Sequence, residues 1–261
     1  MRKLWRRLSE TNRLRLWILL ALVIGAILPL WWTLARTNDW DGFALNFGTE
    51  IAGVGVTFAF LDWVIGSRER RQRLIEKEER FKTELIDKMG STVQTITIEA
   101  VDELRRRGWL IDGTLAGKHF RRANLEGIDL SKADLNNANL HRASLRETDL
   151  WQTQLYDADL SGAWLNNARL WQSNLSNTNF WQARLHNVNL RGANLVGASL
   201  NEAHLPHADL READLQEADL QGAVLTDAIF DEKTRLPDGS YWTLQTDMRR
   251  FTNGNKLANH D

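Results

Sequence analysis

The chain has 261 residues, with 33 basic and 34 acidic side chains and a formal net charge of −1 at pH 7. A chain of this length holds one or two domains, and its near-neutral total conceals local differences in charge. The sequence contains no cysteine, which excludes disulfide bonds and thiolate metal sites. Tryptophan is frequent, with twelve residues, so the positions of these residues guide the search for a functional surface.

Two apolar segments within residues 1–67 predict an α-helical transmembrane hairpin. The first, 16–35, carries no charge, and its length as a helix matches a hydrocarbon core of about 30 Å. The second, 43–65, is less apolar. It contains a stripe of small residues at helical spacing, where another helix of the hairpin or of a homo-oligomer can approach closely. This stripe consists of Gly48, Ala52, Gly55 and Ala59.

Basic residues precede the first segment and follow the second, which predicts that both termini are cytoplasmic. We therefore expect a multi-pass protein of a bacterial inner membrane, in contact with the lipid bilayer. Glu50 and Asp62 belong to the second segment, and an ionisable residue inside a membrane is a candidate functional site. The alternative is structural: Asp62 lies at the cytoplasmic boundary, and Glu50 is protonated or bonded within the bundle.

Residues 68–109 are predicted to form a helical connector and cap. Glutamates and basic residues at (i, i+4) spacing support a charged helix that ends at Gly90. Ser91 and Gln94 have the spacing of a capping box for a second helix, and Gly108 occupies a position that commonly ends one. We expect this second helix to cover the domain that follows, because the end of a β-helix exposes unpaired backbone groups.

A five-residue period dominates residues 110–230. Leu or Phe occupies every fifth position from Phe120 to Phe230, and a small residue usually precedes it by two positions. This period matches neither the 3.6 residues of a helical turn nor the two-residue repeat of a strand. It matches a chain that turns a corner every five residues, so that four sides close one coil of a solenoid.

In this stretch the chain resembles the pentapeptide-repeat family. The resemblance implies a mainly β fold, a right-handed quadrilateral β-helix with the Leu or Phe and the small residue pointing inward. It leaves the function open, because members of the family have several roles. Some members resemble DNA in charge and shape and act on DNA gyrase. Here the acidic residues are concentrated in the last coils, where we expect them to face only Arg211.

Residues twenty positions apart should stack on the same side of such a rod. Trp151, Trp171 and Arg191 then form one column, with Arg191 beside the Trp171 ring, and Trp164 and Arg184 form another. Exposed aromatic residues with arginines are typical of protein interfaces, although like residues also stack simply to stabilise neighbouring coils. The predicted partner-binding residues are Trp151, Tyr156, Trp164, Trp171, Trp181, Arg184 and Arg191.

Residues 231–261 are predicted to form a C-terminal cap and a polar tail. The turn sequence Pro237-Asp238-Gly239, followed by Trp242, resembles the ending that is common after pentapeptide runs. We expect Trp242 to cover the last coil.

The sequence contains no recognisable catalytic constellation, cofactor motif or metal-ligand cluster, and no continuous basic face for nucleic acid. We therefore expect a non-enzymatic, membrane-anchored cytoplasmic scaffold that binds a cytoplasmic or membrane protein, without a cofactor or a metal. The alternatives are a membrane-linked sensor or transport accessory that uses Glu50 and Asp62, and, less favoured, an interaction with DNA gyrase.

Overall fold

A computed structural model describes residues 10–37 and 40–252 of the chain. Within this part, the helices are α1 (Glu10–Thr37), α2 (Trp40–Met89), α3 (Gln94–Arg106) and the short α4 (Arg249–Thr252). The chain divides into two compact units, Met1–Glu79 and Arg80–Asp261. The boundary between the two units falls inside α2.

The first unit contains α1 and most of α2. Among the helices of the described residues, none is both long enough and apolar enough to cross a membrane. The prediction of a transmembrane hairpin with spans 16–35 and 43–65 is therefore wrong, and so is the localisation as a multi-pass inner-membrane protein.

The second unit is a four-sided solenoid in which bridging residues lie beside those twenty positions later, except in the last parallel bridge, which joins Asp214 to Arg235. Parallel β-bridges join the coils in four columns, which define the four faces of the rod. Face 1 runs from His119 to Asp219, face 2 from Asn124 to Val224, face 3 from Asp129 to Ile229, and face 4 from Asp134 to Arg235. Each face contributes one bridging residue per coil, so the described residues contain isolated bridges in place of longer strands.

The five-residue repeat explains each part of this coil. Leu or Phe at the fifth position and the small residue two positions earlier are buried in the core, as Leu165 and Ala163 are with 0% exposure. Two turn residues follow each core residue, and the second of them has a positive φ, such as 57° at Glu147 and 63° at Gly162. Backbone hydrogen bonds then join each coil to both neighbours: Leu165 donates to the coil after it and Trp164 to the coil before it.

Helix α3 closes the first end of the rod. Its buried face, formed by Thr97, Ala100, Val101 and Leu104, belongs to the same core as the coils. Polar groups near its start take the place of a missing coil: the Ser91 carbonyl accepts the Asn124 N–H at 2.8 Å, and the Gln94 side chain donates to the Glu126 carbonyl at 2.8 Å. The backbone edge is thereby paired without a preceding strand.

The predicted capping box does not form. The N-cap residue of α3 is Val93, without a side-chain hydrogen bond, and the Ser91 hydroxyl accepts the Val93 N–H at 3.0 Å before the helix begins. Gln94 binds the first coil instead of reaching back to the cap. A tertiary hydrogen bond therefore replaces the local one that the spacing suggested.

A short cap closes part of the other end. The Trp242 ring stacks on Phe230, with 6.1 Å between centroids, and Arg235 pairs with Tyr241 across a turn in an antiparallel bridge. The Gly222 N–H donates to the Thr252 carbonyl at 2.8 Å. Residues 253–261, predicted as a polar tail, lie outside the described residues.

Candidate partner-binding surfaces

The predicted aromatic residues do not lie on one surface of the rod. Trp151 and Trp171 lie at the corner between faces 3 and 4, and Tyr156 lies at the corner between faces 4 and 1. Trp164 lies on face 2, and Trp181 lies at the corner between faces 1 and 2. Corners 1/2 and 3/4 are diagonally opposite in a four-sided coil, so a partner on one side meets only part of the predicted set.

Trp151 and Trp171 form a stacked pair. Their rings lie 5.0 Å apart at 21°, and Lys132 lies 4.7 Å from the centre of the Trp151 ring. Trp171 is 36% exposed, whereas the indole nitrogen of Trp151 is buried without a hydrogen-bond partner. Arg191, expected beside Trp171, donates two hydrogen bonds to Glu212 instead, at 2.5 and 3.1 Å. The aromatic pair is therefore accompanied by a lysine from the preceding coil.

Trp164 contacts one arginine of the preceding coil and one of the following coil. Arg146 lies 4.3 Å and Arg184 lies 5.5 Å from the centre of the ring. Such cation–π contacts hold extended side chains against the rod. Of the predicted arginines, Arg184 therefore does contact an aromatic residue, and Arg146 is an additional contact that the sequence analysis missed.

Whether an arginine of the rod forms an ion pair depends on the side of the rod on which it lies. On face 3, on face 4 and at the corner between them, each arginine lies within 4.0 Å of a carboxylate. These pairs are Arg169–Asp149, Arg191–Glu212, Arg211–Asp209 and Arg235–Asp214. On face 2 and at corner 1/2, the corresponding arginines form no ion pair with any described residue. The unpaired set comprises Arg121, Arg122, Arg142 and Arg184.

We call face 2 and its two flanking corners the basic side. His141, His186, His204 and His207 also lie on it, so side chains that are scattered along the sequence share one side. The His186 and His207 rings meet edge to face at 5.4 Å. Within the described part of the chain, no group of three or more His, Asp or Glu side chains could hold a metal ion. Comparing positions twenty residues apart would have revealed this grouping from the sequence.

The acidic last coils are partly neutralised. Asp209 accepts hydrogen bonds from the Arg211 side chain at 2.6 and 2.8 Å, and these bonds hold the pKa of Asp209 below its usual value despite partial burial. Glu212 and Asp214 are paired with Arg191 and Arg235. The expectation that the carboxylates of this end face only Arg211 is therefore wrong.

The candidate residues of the first unit are less defined. The side chain of Glu50 lies outside the described part of the structure, and Asp62 is half-buried on α2. An open groove of about 490 Å³ lies between α1 and α2, lined by small and uncharged residues that include Gly25, Gly53 and Thr57. Asp62 does not line it.

Comparisons with known proteins agree with the repeat. The family model described as pentapeptide repeats (8 copies) matches residues 119–152, 153–192 and 193–231. A solved pentapeptide repeat protein from the cyanobacterium Cyanothece 51142 is 30% identical; the match covers 46% of this chain and 88% of that one, with a TM-score of 0.30. No curated protein matches the chain.

Two further solved structures illustrate the range of similar proteins. HetL, a pentapeptide repeat protein involved in heterocyst differentiation regulation in the cyanobacterium Nostoc sp. strain PCC 7120, is 30% identical; the match covers 48% of this chain and 78% of HetL, with a TM-score of 0.22. QnrB1, a plasmid-mediated fluoroquinolone resistance protein, is 21% identical; the match covers 46% of this chain and 68% of that one, with a TM-score of 0.32.

Proposed function

This chain belongs to the pentapeptide-repeat family, and we propose that its β-helix is a rigid platform that binds a protein partner and catalyses no reaction. The observation that carries the proposal is the exposure of large aromatic side chains on a rod whose coils are hydrogen-bonded to one another. Trp164, Trp171, Trp181 and Tyr156 are 36–45% exposed.

A rigid backbone reduces the cost of binding through such residues. Each aromatic side chain projects from a coil that is fixed by backbone hydrogen bonds on both sides, as at Trp164 and Leu165. Little backbone entropy is then lost when a partner covers the ring, and tryptophan, tyrosine and arginine dominate interface energies. Stacking between like residues explains the Trp151–Trp171 pair but not the exposed Trp181, which belongs to no ring stack among the described residues.

DNA mimicry receives less support as an alternative. A DNA-like surface needs a continuous run of free carboxylates, whereas Asp209, Glu212 and Asp214 are each paired with an arginine. A supercoiling assay of DNA gyrase with the full chain tests this alternative directly. Inhibition or protection of gyrase by an equimolar amount of the chain would favour DNA mimicry over the platform.

The platform is tested by cross-linking the full chain to its neighbours in cells, with two double variants. Trp151→Ala/Trp171→Ala removes the stacked pair, and Trp164→Ala/Trp181→Ala removes the aromatic residues of the basic side. We expect one double variant to lose a cross-linked protein that the other retains, while the circular dichroism of both stays β-type. If both variants cross-link the same proteins as the wild type, aromatic binding is excluded.

A further inference from the structure

We propose that the basic side is the docking surface of the rod and that its occupant is a protein segment rich in Asp and Glu. This inference rests on the proposed function, since it assigns a place and a chemical class to the protein partner. It adds Arg122 and Arg142 to the predicted residues Arg184, Trp164 and Trp181, and the repeat itself requires none of these side chains.

The unpaired state of these arginines is the first argument. Elsewhere on the rod the arginines have a carboxylate within 4.0 Å, such as Asp149 for Arg169 at 3.4 Å. Arg122, Arg142 and Arg184 have none among the described residues, so their guanidinium groups are free to bind carboxylates in the bidentate geometry that arginine favours. A surface whose arginines have no carboxylate partner among the described residues fits an occupant that brings the carboxylates.

The arrangement along the rod is the second argument. Arg122 and Arg142 occupy the same position in successive coils, about 4.8 Å apart. Gly162 follows them in the column, and a Cβ there would lie 3.2 Å from Cγ of Arg142. The Arg142 side chain thus passes over Gly162 toward the coil that carries Trp181. Cationic and aromatic groups therefore form one strip over four coils, roughly 14 Å long, which matches four or five residues of an extended peptide.

The aromatic contacts favour a protein over a nucleic acid. Single-stranded nucleic acids stack their bases on open ring faces, whereas Trp164 already contacts Arg146 and Arg184. Carboxylates also lie within the strip, namely Glu147 and Glu126, which lies 3.9 Å from Arg146. Glu202 of the next coil accepts a hydrogen bond from Gln182. A phosphate backbone with a charge on every residue would be repelled there, while a peptide can place neutral residues opposite these positions.

The test uses the full chain and a fluorescein-labelled ten-residue peptide in which glutamate alternates with serine. The comparison probes are the same peptide with glutamine in place of glutamate and a 20-nucleotide thymidine strand. Fluorescence anisotropy at 50 and 200 mM NaCl measures affinity. We expect the glutamate peptide to bind, to weaken as salt rises because exposed charges are screened, and to bind more tightly than either other probe. Such binding could not result from total charge, because the chain carries a net charge of −1. Absence of peptide binding, or tighter binding of the thymidine strand, overturns the proposal.

A matched pair of variants locates the binding. Arg142→Gln/Arg184→Gln removes two free arginines, and Arg169→Gln/Arg249→Gln removes two that pair with Asp149 and Asp247. Both pairs change the total charge equally. Glutamine suits the backbone of Arg142 (φ 57°), because Gln172 has the same φ in an equivalent turn position. We expect at least a tenfold loss of affinity in the first pair and less than twofold in the second.

Equal losses in the two pairs would show that the peptide responds to charge alone and would overturn the assignment. The cross-linking experiment separates this failure from failure of the platform itself. If Arg142→Gln/Arg184→Gln leaves the cross-linked partner unchanged while Trp151→Ala/Trp171→Ala removes it, the rod binds a protein through the opposite corner, and only the docking assignment is lost.

Discussion

The guanidinium group of Arg105 donates a hydrogen bond to the backbone carbonyl of Asp129. It thereby replaces the backbone N–H that a preceding coil would donate to this carbonyl. In the coils that follow, the carbonyl at the same position accepts a hydrogen bond from the N–H of a core residue in the preceding coil. For example, the Asp149 carbonyl accepts the Leu130 N–H at 2.7 Å. A second contact, 2.8 Å from Arg105 to the Asp129 carboxylate, fixes the side chain. One arginine of α3 thus ends a β-ladder that would otherwise present an open edge.

Removing this arginine should loosen the first end of the rod. We expect Arg105→Ala to lower the free energy of unfolding by about 1–3 kcal/mol, because a charge-assisted hydrogen bond is lost and a carbonyl loses its partner. Chemical denaturation of the full chain measures the change. Arg106→Ala is the control, since Arg106 is 71% exposed and pairs only with Glu103 of its own helix, and it should cost less than about 0.5 kcal/mol. Similar losses in both variants would contradict the capping role.

A single core position tests whether the rod is one cooperative unit. Leu175 is fully buried in a middle coil. We expect Leu175→Ala to cost about 2–5 kcal/mol through lost packing and a residual cavity, and Leu175→Asp to unfold the rod, because it places an unpaired charge in the core. Leu244→Ala, at a position that is 89% exposed, should leave the unfolding curve unchanged. A rod that keeps its circular dichroism with Leu175→Asp would refute a continuous core.

The repeat was predictable because each of its parts has a local cause. The five-residue spacing of Leu125 and its successors determines the number of sides, and it predicted both the core and the β-helix. The N-terminal prediction is contradicted because none of the described helices is both long enough and apolar enough to cross a membrane. The predicted capping box does not form because the Gln94 side chain donates a hydrogen bond to the first coil, 32 residues away in sequence.

The surface was predictable only in part. Trp151 and Trp181 are close in sequence, but their positions in the coil place them at opposite corners, which follows from the twenty-residue period. The pairing of charges does not follow from that period. Arg191 could have reached either Trp171 or Glu212, and its side-chain conformation selects Glu212. Free and paired arginines can therefore be distinguished only in three dimensions.

The turn geometry predicts opposite effects for the same substitution at adjacent residues. Glu217 has a φ of 61°, in the left-handed region, whereas the preceding residue Gln216 does not. Glu217→Gly should stabilise the rod by about 0.5–1 kcal/mol, because glycine adopts a positive φ without steric cost. Gln216→Gly should destabilise it by a similar amount, because there glycine only adds unfolded-state entropy. Thermal and chemical unfolding measure both, and the same sign at the two positions would contradict the turn assignment.

The ion pair between Asp209 and Arg211 predicts a pH-dependent contribution to stability. Hydrogen bonds from Arg211 lower the pKa of Asp209 from its usual 3.8. The folded state therefore favours the carboxylate, and its stabilising effect is complete above pH 3.8 and is lost as pH falls through the lower folded value.

Asp209→Asn removes the charge while keeping an oxygen for the Arg211 N–H. At pH 7 it should lower the free energy of unfolding by about 0.5–1 kcal/mol, a small value because the pair is partly exposed to solvent. The difference in the free energy of unfolding between Asp209→Asn and the wild type should become smaller below pH 3.8 and also in 1 M salt. Unfolding curves from pH 7 to 2, repeated with Arg211→Gln and the double variant, measure the coupling. A difference that is unchanged at pH 2 would mean that packing, and not charge, makes Asp209 important.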